Sequence, residues 1–284
     1  LDKLGNRYFI KQQFEFAIPV LRKLLEVQPD PELEVERVEK LYDSIKAAKG
    51  KVQARPEDVG FLVRAAANLA RAFAIVHETS SVIADVNQGG ILVAQDARIR
   101  LIDCDSFQVT DGARRYLCEV GVPTFTPPEL QGRPFAELVR TADHDNFGLA
   151  VLIFLLLFMG RHPFAGRYLG IGEMTIEQAI GEGRFPYGKD AMGAQMEPPP
   201  GTPPLSIVSD AVAGLFEKAF ARDGADDGRP AASEWAAALE ALERELRPCA
   251  ASSAHWHHGA LTACPWCRME AATSVPLFSA RLAP

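Results

Sequence analysis

IADVNQGGILV (residues 83–93) and LIDCD (residues 101–105) decide the fold of this 284-residue chain. Asp85 precedes one short apolar run, Asp103 ends another, and residues 95–97 between the runs form a turn. Two short apolar runs joined by a turn predict a β-hairpin, with both carboxylates at one end of it. Carboxylates placed together in this way can accept a proton or hold a metal ion.

The composition is ordinary for a soluble globular protein, with 48% hydrophobic and 24% charged residues. The net charge of −7 provides no broad basic surface for a nucleic acid. The longest apolar run, residues 147–159, is shorter than the about 20 residues of a membrane span, so we expect a buried central helix and no membrane partner. The N-terminus has no apolar leader and lacks an initiator Met, which is typical of a fragment.

Cysteine usage points to a reducing compartment. The five cysteines are an odd number, and three of them lie beside histidines near the C-terminus. This pattern favours a metal site over a disulfide framework, so we expect a cytoplasmic protein. The other two, Cys104 and Cys118, are expected to be packed or unpaired thiols.

Residues 1–50 predict a helical hairpin. The segment resembles a single tetratricopeptide repeat, which is about 34 residues long. The positions that carry the resemblance are Leu4, Gly5, Tyr8, Ala17 and Pro29. An ordinary amphipathic hairpin explains the same pattern equally well.

Helices dominate the rest of the chain. Residues 55–58 predict a helix start, and an apolar stripe continues to residue 78. A long loop is expected over residues 103–129, an extended Pro-rich loop over 196–205, and helices over 175–180, 207–220 and 231–246. His77 lies beside the first stripe and is interpreted as structural.

The order of these pieces resembles the large lobe of a protein kinase. The resemblance implies that Asp85 accepts the substrate hydroxyl proton and that Asp103 binds the metal. Asp143 is expected to support the backbone of the catalytic loop. Glu129 stands where the family has the glutamate of Ala-Pro-Glu, and Arg229 is expected to pair with it.

The predicted fold class is α+β, mostly α: a kinase-like large lobe without a recognisable small lobe. The expected divisions are a helical hairpin (1–50), the lobe (51–247), a zinc knuckle (248–270) and a tail (271–284). The finer resemblance is to a bacterial branch associated with tellurite-resistance-type gene clusters. That branch implies a von Willebrand A-domain protein and a metal-dependent protein phosphatase as partners.

The sequence departs from the kinase pattern in the catalytic loop. No glycine-rich phosphate loop precedes Asp85. Ala84 replaces the arginine that reads activation-loop phosphorylation. Asn87 replaces the lysine that neutralises the transferring phosphate, and Gly90 replaces the asparagine that holds a second magnesium.

A substitute set of oxygen ligands is nevertheless present. Asp105 stands where the family has a glycine, so Asp103, Asp105 and Asn87 together offer hard oxygen ligands to Mg²⁺. The alternative is that Asp105 only caps its loop or meets Arg100.

A second constellation lies near the C-terminus and predicts a structural zinc site. Cys264 and Cys267 form a C-x-x-C knuckle, and Cys249 with His255 completes four ligands; His258 is the second choice for the histidine. A redox C-x-x-C is the alternative, although no βαβ pattern surrounds it.

Two functions remain open at this level. The resemblance implies phosphoryl transfer from Mg-ATP to protein Ser or Thr. The missing phosphate loop favours a pseudokinase or truncated-kinase scaffold that binds partner proteins. We expect little or no turnover from this chain alone. Nucleic-acid binding through the knuckle is disfavoured because residues 249–267 contain no Lys or Arg.

Overall fold

The computed structural model describes residues 58–111, 114–222, 224, 228–274 and 276–278. The chain divides into two compact units, Leu1–Arg55 and Pro56–Pro284, and the description below concerns the second. The predicted helical hairpin of residues 1–50 lies outside the described residues.

The first described helix, α1 (Val59–Glu78), confirms the predicted apolar stripe. The carboxylate of Asp58 caps it by accepting a hydrogen bond from the backbone N–H of Phe61 at 2.8 Å. By length and composition α1 could cross a membrane, but half of its most apolar window is buried inside the protein. Its burial identifies it as a core helix.

The hairpin predicted from the opening motif is present. Strands β1 (Ile91–Val93) and β2 (Ile99–Leu101) pair antiparallel, with Ile91 opposite Leu101. Ala97 in the turn has a positive φ of 63° and is fully buried. The side-chain amide of Asn68 on α1 donates to the Ala97 carbonyl at 2.9 Å, which fastens the hairpin to that helix.

The long loop predicted after the hairpin contains a second, smaller one. Strands β3 (Val109–Asp111) and β4 (Arg114–Tyr116) pair antiparallel. The sequence signal was the Asp-Gly pair at residues 111–112, which is typical of tight hairpin turns. Short 3₁₀ turns follow at Pro123–Phe125 and Pro128–Leu130.

The expected buried central helix is α2 (Ala142–Leu157), and it begins five residues before the apolar run. The helix carries apolar residues around its whole circumference, and residues 145–154 are all buried. It therefore lies inside the core rather than along the edge of the core. A Cβ added at Gly148 would lie 2.6 Å from the Cγ1 atom of Val86. Glycine at this position therefore lets the loop that carries Asp85 pack directly on α2.

Among the described residues the lobe also contains the helices α3 (Ile176–Gly181), α4 (Asp210–Ala219) and α5 (Ala232–Glu245). Two strands of two residues each, β5 (Arg167–Tyr168) and β6 (Met196–Glu197), pair antiparallel. The start of the predicted Pro-rich loop is therefore ordered as a strand.

Helix α5 packs along α1. Ion pairs join the two helices, with Arg64 to Glu243 at 2.6 Å and Arg71 to Glu240 at 2.7 Å. These pairs are exposed and each contributes at most about 1 kcal/mol. The apolar face of α5, with Trp235 and Leu239 fully buried, provides most of the adhesion.

The C-terminal segment folds onto the same core. Strands β7 (Leu246–Pro248) and β8 (Trp256–His258) pair antiparallel, and helix α6 (Pro265–Thr273) follows. Trp266 is buried in the core that also contains the α1 and α2 side chains, and its indole N–H donates to the Trp256 carbonyl at 2.7 Å.

Candidate functional site

The loop that carries Asp85 is held from beneath by a buried carboxylate. Asp145 of α2 accepts hydrogen bonds from the backbone N–H groups of Ile83 at 2.7 Å and Ala84 at 2.8 Å. His77 approaches the same carboxylate at 3.0 Å, which agrees with its predicted structural role. Charged acceptors make strong hydrogen bonds in a buried site, so the backbone on either side of Ala84 is fixed.

The expectation that Asp143 supports this loop is wrong. Asp143 instead accepts from the backbone N–H of Arg229 at 2.7 Å and from its guanidinium at 2.5 Å. Residues two positions apart on an α-helix point about 200° apart around the axis. Asp145 therefore faces the loop while Asp143 faces Arg229, and the sequence alone did not fix the rotation of α2.

The predicted pair between Glu129 and Arg229 is confirmed. Two parallel hydrogen bonds of 2.8 Å join the guanidinium to the carboxylate, and the Arg229 side chain is 1% exposed. Burial acts to raise the pKa of Glu129, but Arg229 outweighs it and holds that pKa below its usual range. The pair fastens the turn at Pro128–Leu130 to the start of α5.

Asp85 and Asp103 line one small cleft together with Gly90 and Phe107. The Oδ1 atom of Asp85 is buried and has no hydrogen-bond partner among the described residues. Burial raises the pKa of Asp85. A buried carboxylate oxygen without a hydrogen-bond partner is suited to receive a proton or a hydrogen bond from a ligand.

Asp103 sits among other negative charges. Its backbone is left-handed, with φ 65°, a conformation that non-glycine residues seldom adopt and that is often found at functional sites. Burial, then the adjacent Asp105 carboxylate and the charge of Asp85, raise the pKa of Asp103 to about 6. Crowded carboxylates of this kind are stabilised by a cation, so the residues present fit Mg²⁺.

The predicted ligand role of Asn87 meets a competing contact. Its side-chain oxygen accepts from the Gly89 N–H at 2.8 Å, and its side-chain nitrogen donates to the Asp85 carbonyl at 2.9 Å. Asn87 thus caps the 3₁₀ turn Gln88–Gly90 and stiffens the loop.

Arg140 is the neighbour of the cleft that the sequence did not reveal. It is 4% exposed, and its guanidinium donates to the carbonyls of Ala84 and Val120. Its charge also acts on Asp85, where it opposes the effect of burial on the pKa. Arg140 lies outside the motifs that carry the kinase resemblance, so no local sequence signal indicated its position.

The C-terminal ligand set comes together as predicted. The ligand atoms of Cys249, His255, Cys264 and Cys267 all lie within 4.8 Å of one another. Three of the separations are 3.5 Å (Cys249 Sγ to Cys267 Sγ), 3.3 Å (His255 Nδ1 to Cys267 Sγ) and 3.7 Å (Cys264 Sγ to His255 Nδ1). A tetrahedral Zn²⁺ with bonds of about 2.0–2.3 Å places its ligand atoms at similar separations. The cluster is therefore compatible with zinc.

The orientation of His255 supports its choice as the histidine. Its Nε2 atom lies 3.1 Å from a carboxylate oxygen of Glu270, which leaves Nδ1 to face the sulfurs. Metal-binding histidines commonly donate their second nitrogen to a carboxylate in this way. His258 is directed elsewhere, with its Nε2 atom 3.0 Å from Glu245.

The remaining thiols are free, as predicted: Cys104 is exposed and Cys118 is buried. Burial raises the pKa of the Cys118 thiol, and its Sγ atom contacts the Val120 carbonyl at 3.3 Å.

The sequence of this chain is similar to those of proteins named as protein kinases. Two such relatives are protein kinase YegI of Escherichia coli O157:H7 and protein kinase YegI of Escherichia coli strain K12, each 44% identical over 212 residues. The match covers 74% of this chain and 33% of each relative, so the chain spans about a third of the length of the curated relatives it matches. No protein-family profile matches the chain. The homology supports a kinase-like family.

Proposed function

We propose that the cleft is the phosphoryl-transfer end of a protein-kinase-like large lobe, with Mg-ATP as phosphate donor and a protein Ser or Thr as acceptor. The observation that carries the proposal is the convergence of Asp85 and Asp103 on one cleft. Homology to kinases supports the same reaction class. The match covers only a third of each relative. The kinase activity of the whole protein is therefore proposed here for this chain and does not follow from the match itself.

Each residue has a role defined by its surroundings. Asp85 accepts the proton of the attacking hydroxyl with the oxygen that has no other described partner. Asp103 and Asp105 provide the carboxylate oxygens that would hold Mg²⁺, which supplies charge neutralisation at the phosphates. Asp145 keeps the Asp85 loop in position.

Turnover by this chain should be low. Kinase catalysis depends on positioning and charge neutralisation, and Gly90 provides no ligand for a second cation. A Cβ added at Gly90 would meet only the Ile102 carbonyl, at 3.6 Å, so the site has room for a larger residue. Gly90→Asn should therefore increase transfer without unfolding the loop.

The test is phosphate transfer from ATP to a generic protein substrate with Mg²⁺ or Mn²⁺. We expect wild-type transfer near background, a higher rate for Gly90→Asn, and none for Gly90→Asn combined with Asp103→Ala. Robust wild-type activity that disappears in Asp103→Ala would support the cleft as the site of transfer. It would also show that the prediction of low turnover is wrong. Transfer that survives Asp103→Ala would overturn the assignment of the cleft.

A scaffold that binds partner proteins is the second candidate. It is favoured by large apolar side chains on the surface, with Ile171 fully exposed and Met192 73% exposed. The von Willebrand A-domain protein and the metal-dependent phosphatase remain the proposed partners, in a cytoplasmic setting. A pull-down in which both are retained by wild type and lost by Ile171→Asp would support this candidate.

We also propose that the C-terminal cluster holds one structural Zn²⁺. Four protein ligands close the coordination sphere, which leaves no position for a substrate. Elemental analysis of freshly purified, unchelated protein should give one zinc per chain. A result without zinc would overturn this assignment.

A further inference from the structure

Arg140 joins the loop that carries Asp85 to the segment around Val120. Its guanidinium donates one hydrogen bond to the carbonyl of Ala84, the residue before Asp85. It donates another to the carbonyl of Val120, in the segment that leads to the turn at Pro123–Phe125. With 4% of its surface exposed, Arg140 makes these contacts away from competing water.

The backbone of Arg140 is fixed as well. Its N–H donates to the side-chain oxygen of Gln108 at 2.8 Å, and the Gln108 side-chain nitrogen donates back to the Arg140 carbonyl at 2.8 Å. The backbone of Gln108 forms a two-way bridge to Val82, at 2.8 and 2.9 Å. The base of the arginine is thus anchored to the strand-like segment just before the Asp85 loop.

Neighbouring residues shape the space for the guanidinium. It lies over the ring of Phe135, with Cζ 4.2 Å from the ring centroid. A Cβ added at Gly121 would stand 3.2 Å from the Arg140 Nη2 atom and 2.8 Å from the Phe135 ring. A side chain at 121 would therefore press on both the Phe135 ring and the guanidinium that rests on it.

We propose that Arg140 is a positioning residue that holds the Asp85 loop and the Val120 segment together without any phosphorylation. Ala84 has no side chain that could bind a phosphate, while the Ala84 carbonyl is already occupied by Arg140. The relevance to catalysis rests on the proposed function of Asp85. We call the two hydrogen bonds from Arg140 to the carbonyls of Ala84 and Val120 the latch. The latch is a structural property that can be measured in the absence of nucleotide and metal.

Arginine is required because of its geometry. A planar guanidinium offers several donors in a fixed arrangement and reaches two carbonyls at once, whereas a lysine ammonium acts as a single point charge on a flexible stem. Arg140→Lys therefore keeps the charge and weakens the bridge, and Arg140→Met removes both. Comparing the two variants separates the bridge from the charge.

Cys118 provides a built-in reporter of the latch. The thiol is 2% exposed and lies two residues before Val120, so alkylation requires the segment to open. The exposed Cys104 serves as an internal reference. Removing the Arg140 charge would raise the pKa of Cys118 further and slow alkylation, so faster alkylation can report only opening.

The experiment follows iodoacetamide labelling of each cysteine by peptide mass spectrometry, alongside the melting temperature. We expect Cys118 labelling to accelerate roughly tenfold or more in Arg140→Met, as local opening becomes easier, and by less in Arg140→Lys. Gly121→Ala should also accelerate it by displacing the guanidinium, which provides a second route if Arg140→Met does not fold.

Arg184→Met is the matched control. Arg184 also donates to a backbone carbonyl, that of Ala194, and lies over the Tyr168 ring at 5.2 Å. This variant should lose stability while Cys118 stays protected. No acceleration in a folded Arg140→Met, or none in Gly121→Ala if Arg140→Met does not fold, would overturn the proposal. Equal acceleration in Arg184→Met would overturn it as well.

A phosphatase treatment of the wild-type protein completes the test. The latch predicts that Cys118 is as protected after treatment as before. Labelling that accelerates after treatment would show that a phosphate orders the segment, and the proposal would then be wrong. Each of these outcomes is independent of whether the chain transfers phosphate.

Discussion

The carboxylate cleft and the cysteine cluster are opposite kinds of site. In the cluster, four ligands from residues 249–267 lie within 4.8 Å of one another and close around one ion position. At the cleft, the carboxylates of Asp85, Asp103 and Asp105 lie close together. No comparably compact set of groups balances their negative charge among the described residues. We propose that zinc bound by the cluster would stabilise the fold, whereas a cation bound in the cleft would relieve the repulsion between its carboxylates.

The largest effect should come from breaking the cluster. Cys267→Ser should abolish bound zinc and lower the melting temperature by roughly 10 °C or more, since metal-binding energy is folding energy. Metal content and calorimetry measure both quantities. Cys104→Ser, which changes an exposed thiol, is the control and should leave them unaltered. A stable, zinc-containing Cys267→Ser protein would contradict the assignment.

Asp145→Asn should have the next largest effect on stability. The amide cannot accept from both backbone N–H groups and from His77 as the carboxylate does, so we expect a loss of about 3 kcal/mol. Denaturant unfolding measures it, with the exposed Asp96→Asn as control. The zinc content of Asp145→Asn should equal that of wild type, which would show that the loss of stability arises at the cleft and not at the cysteine cluster. A loss below about 1 kcal/mol would show that the loop is held by other contacts.

Glu129→Gln should cost about 1 kcal/mol, because Arg229 keeps Asp143 as a second partner. The sign with pH follows from the lowered pKa of Glu129. Its contribution is present above the ordinary value of 4.5 and is lost as pH falls through the lower folded-state pKa. Unfolding curves of wild type and variant should therefore converge in acid. Curves that stay equally separated there would contradict the pair's role.

Asp103→Asn should have the smallest effect on stability, and of opposite sign. It removes one of several crowded charges. We expect a gain of less than about 1 kcal/mol near pH 7, because Asp103 is only partly buried and water screens its charge. The folded-state pKa of about 6 exceeds the ordinary 3.8, so the gain should fade as pH falls through 6. Mg²⁺ should stabilise wild type and not the variant. A destabilised variant would mean that Asp103 has a structural partner.

Local sequence was enough for the parts of the molecule that are built from neighbouring residues. The first hairpin, the central helix and the Cys–His set all follow from periodicity or spacing over short stretches. The second hairpin was missed, because residues 103–129 were predicted as one long loop; the Asp-Gly pair at residues 111–112 was the overlooked turn signal.

Features that depend on tertiary packing were not accessible in that way. The choice between Asp143 and Asp145 depends on the rotation of α2, which is set by the core around it. Arg140 acts on a loop more than 50 residues earlier in the chain, at a sequence separation of 56 from Ala84. Burial converts it from an ordinary surface residue type into a part of the site.

The role of Asp85 and Asp103 in metal and phosphate binding is tested most directly by anomalous diffraction from crystals soaked with Mn²⁺ and a non-hydrolysable ATP analogue. We predict a manganese peak coordinated by Asp103, with Asp85 facing the terminal phosphate. We also predict a separate zinc peak at Cys249, His255, Cys264 and Cys267. A crystal with nucleotide bound and manganese far from Asp103, or with Asp85 turned away from the phosphates, would contradict the role of these two residues.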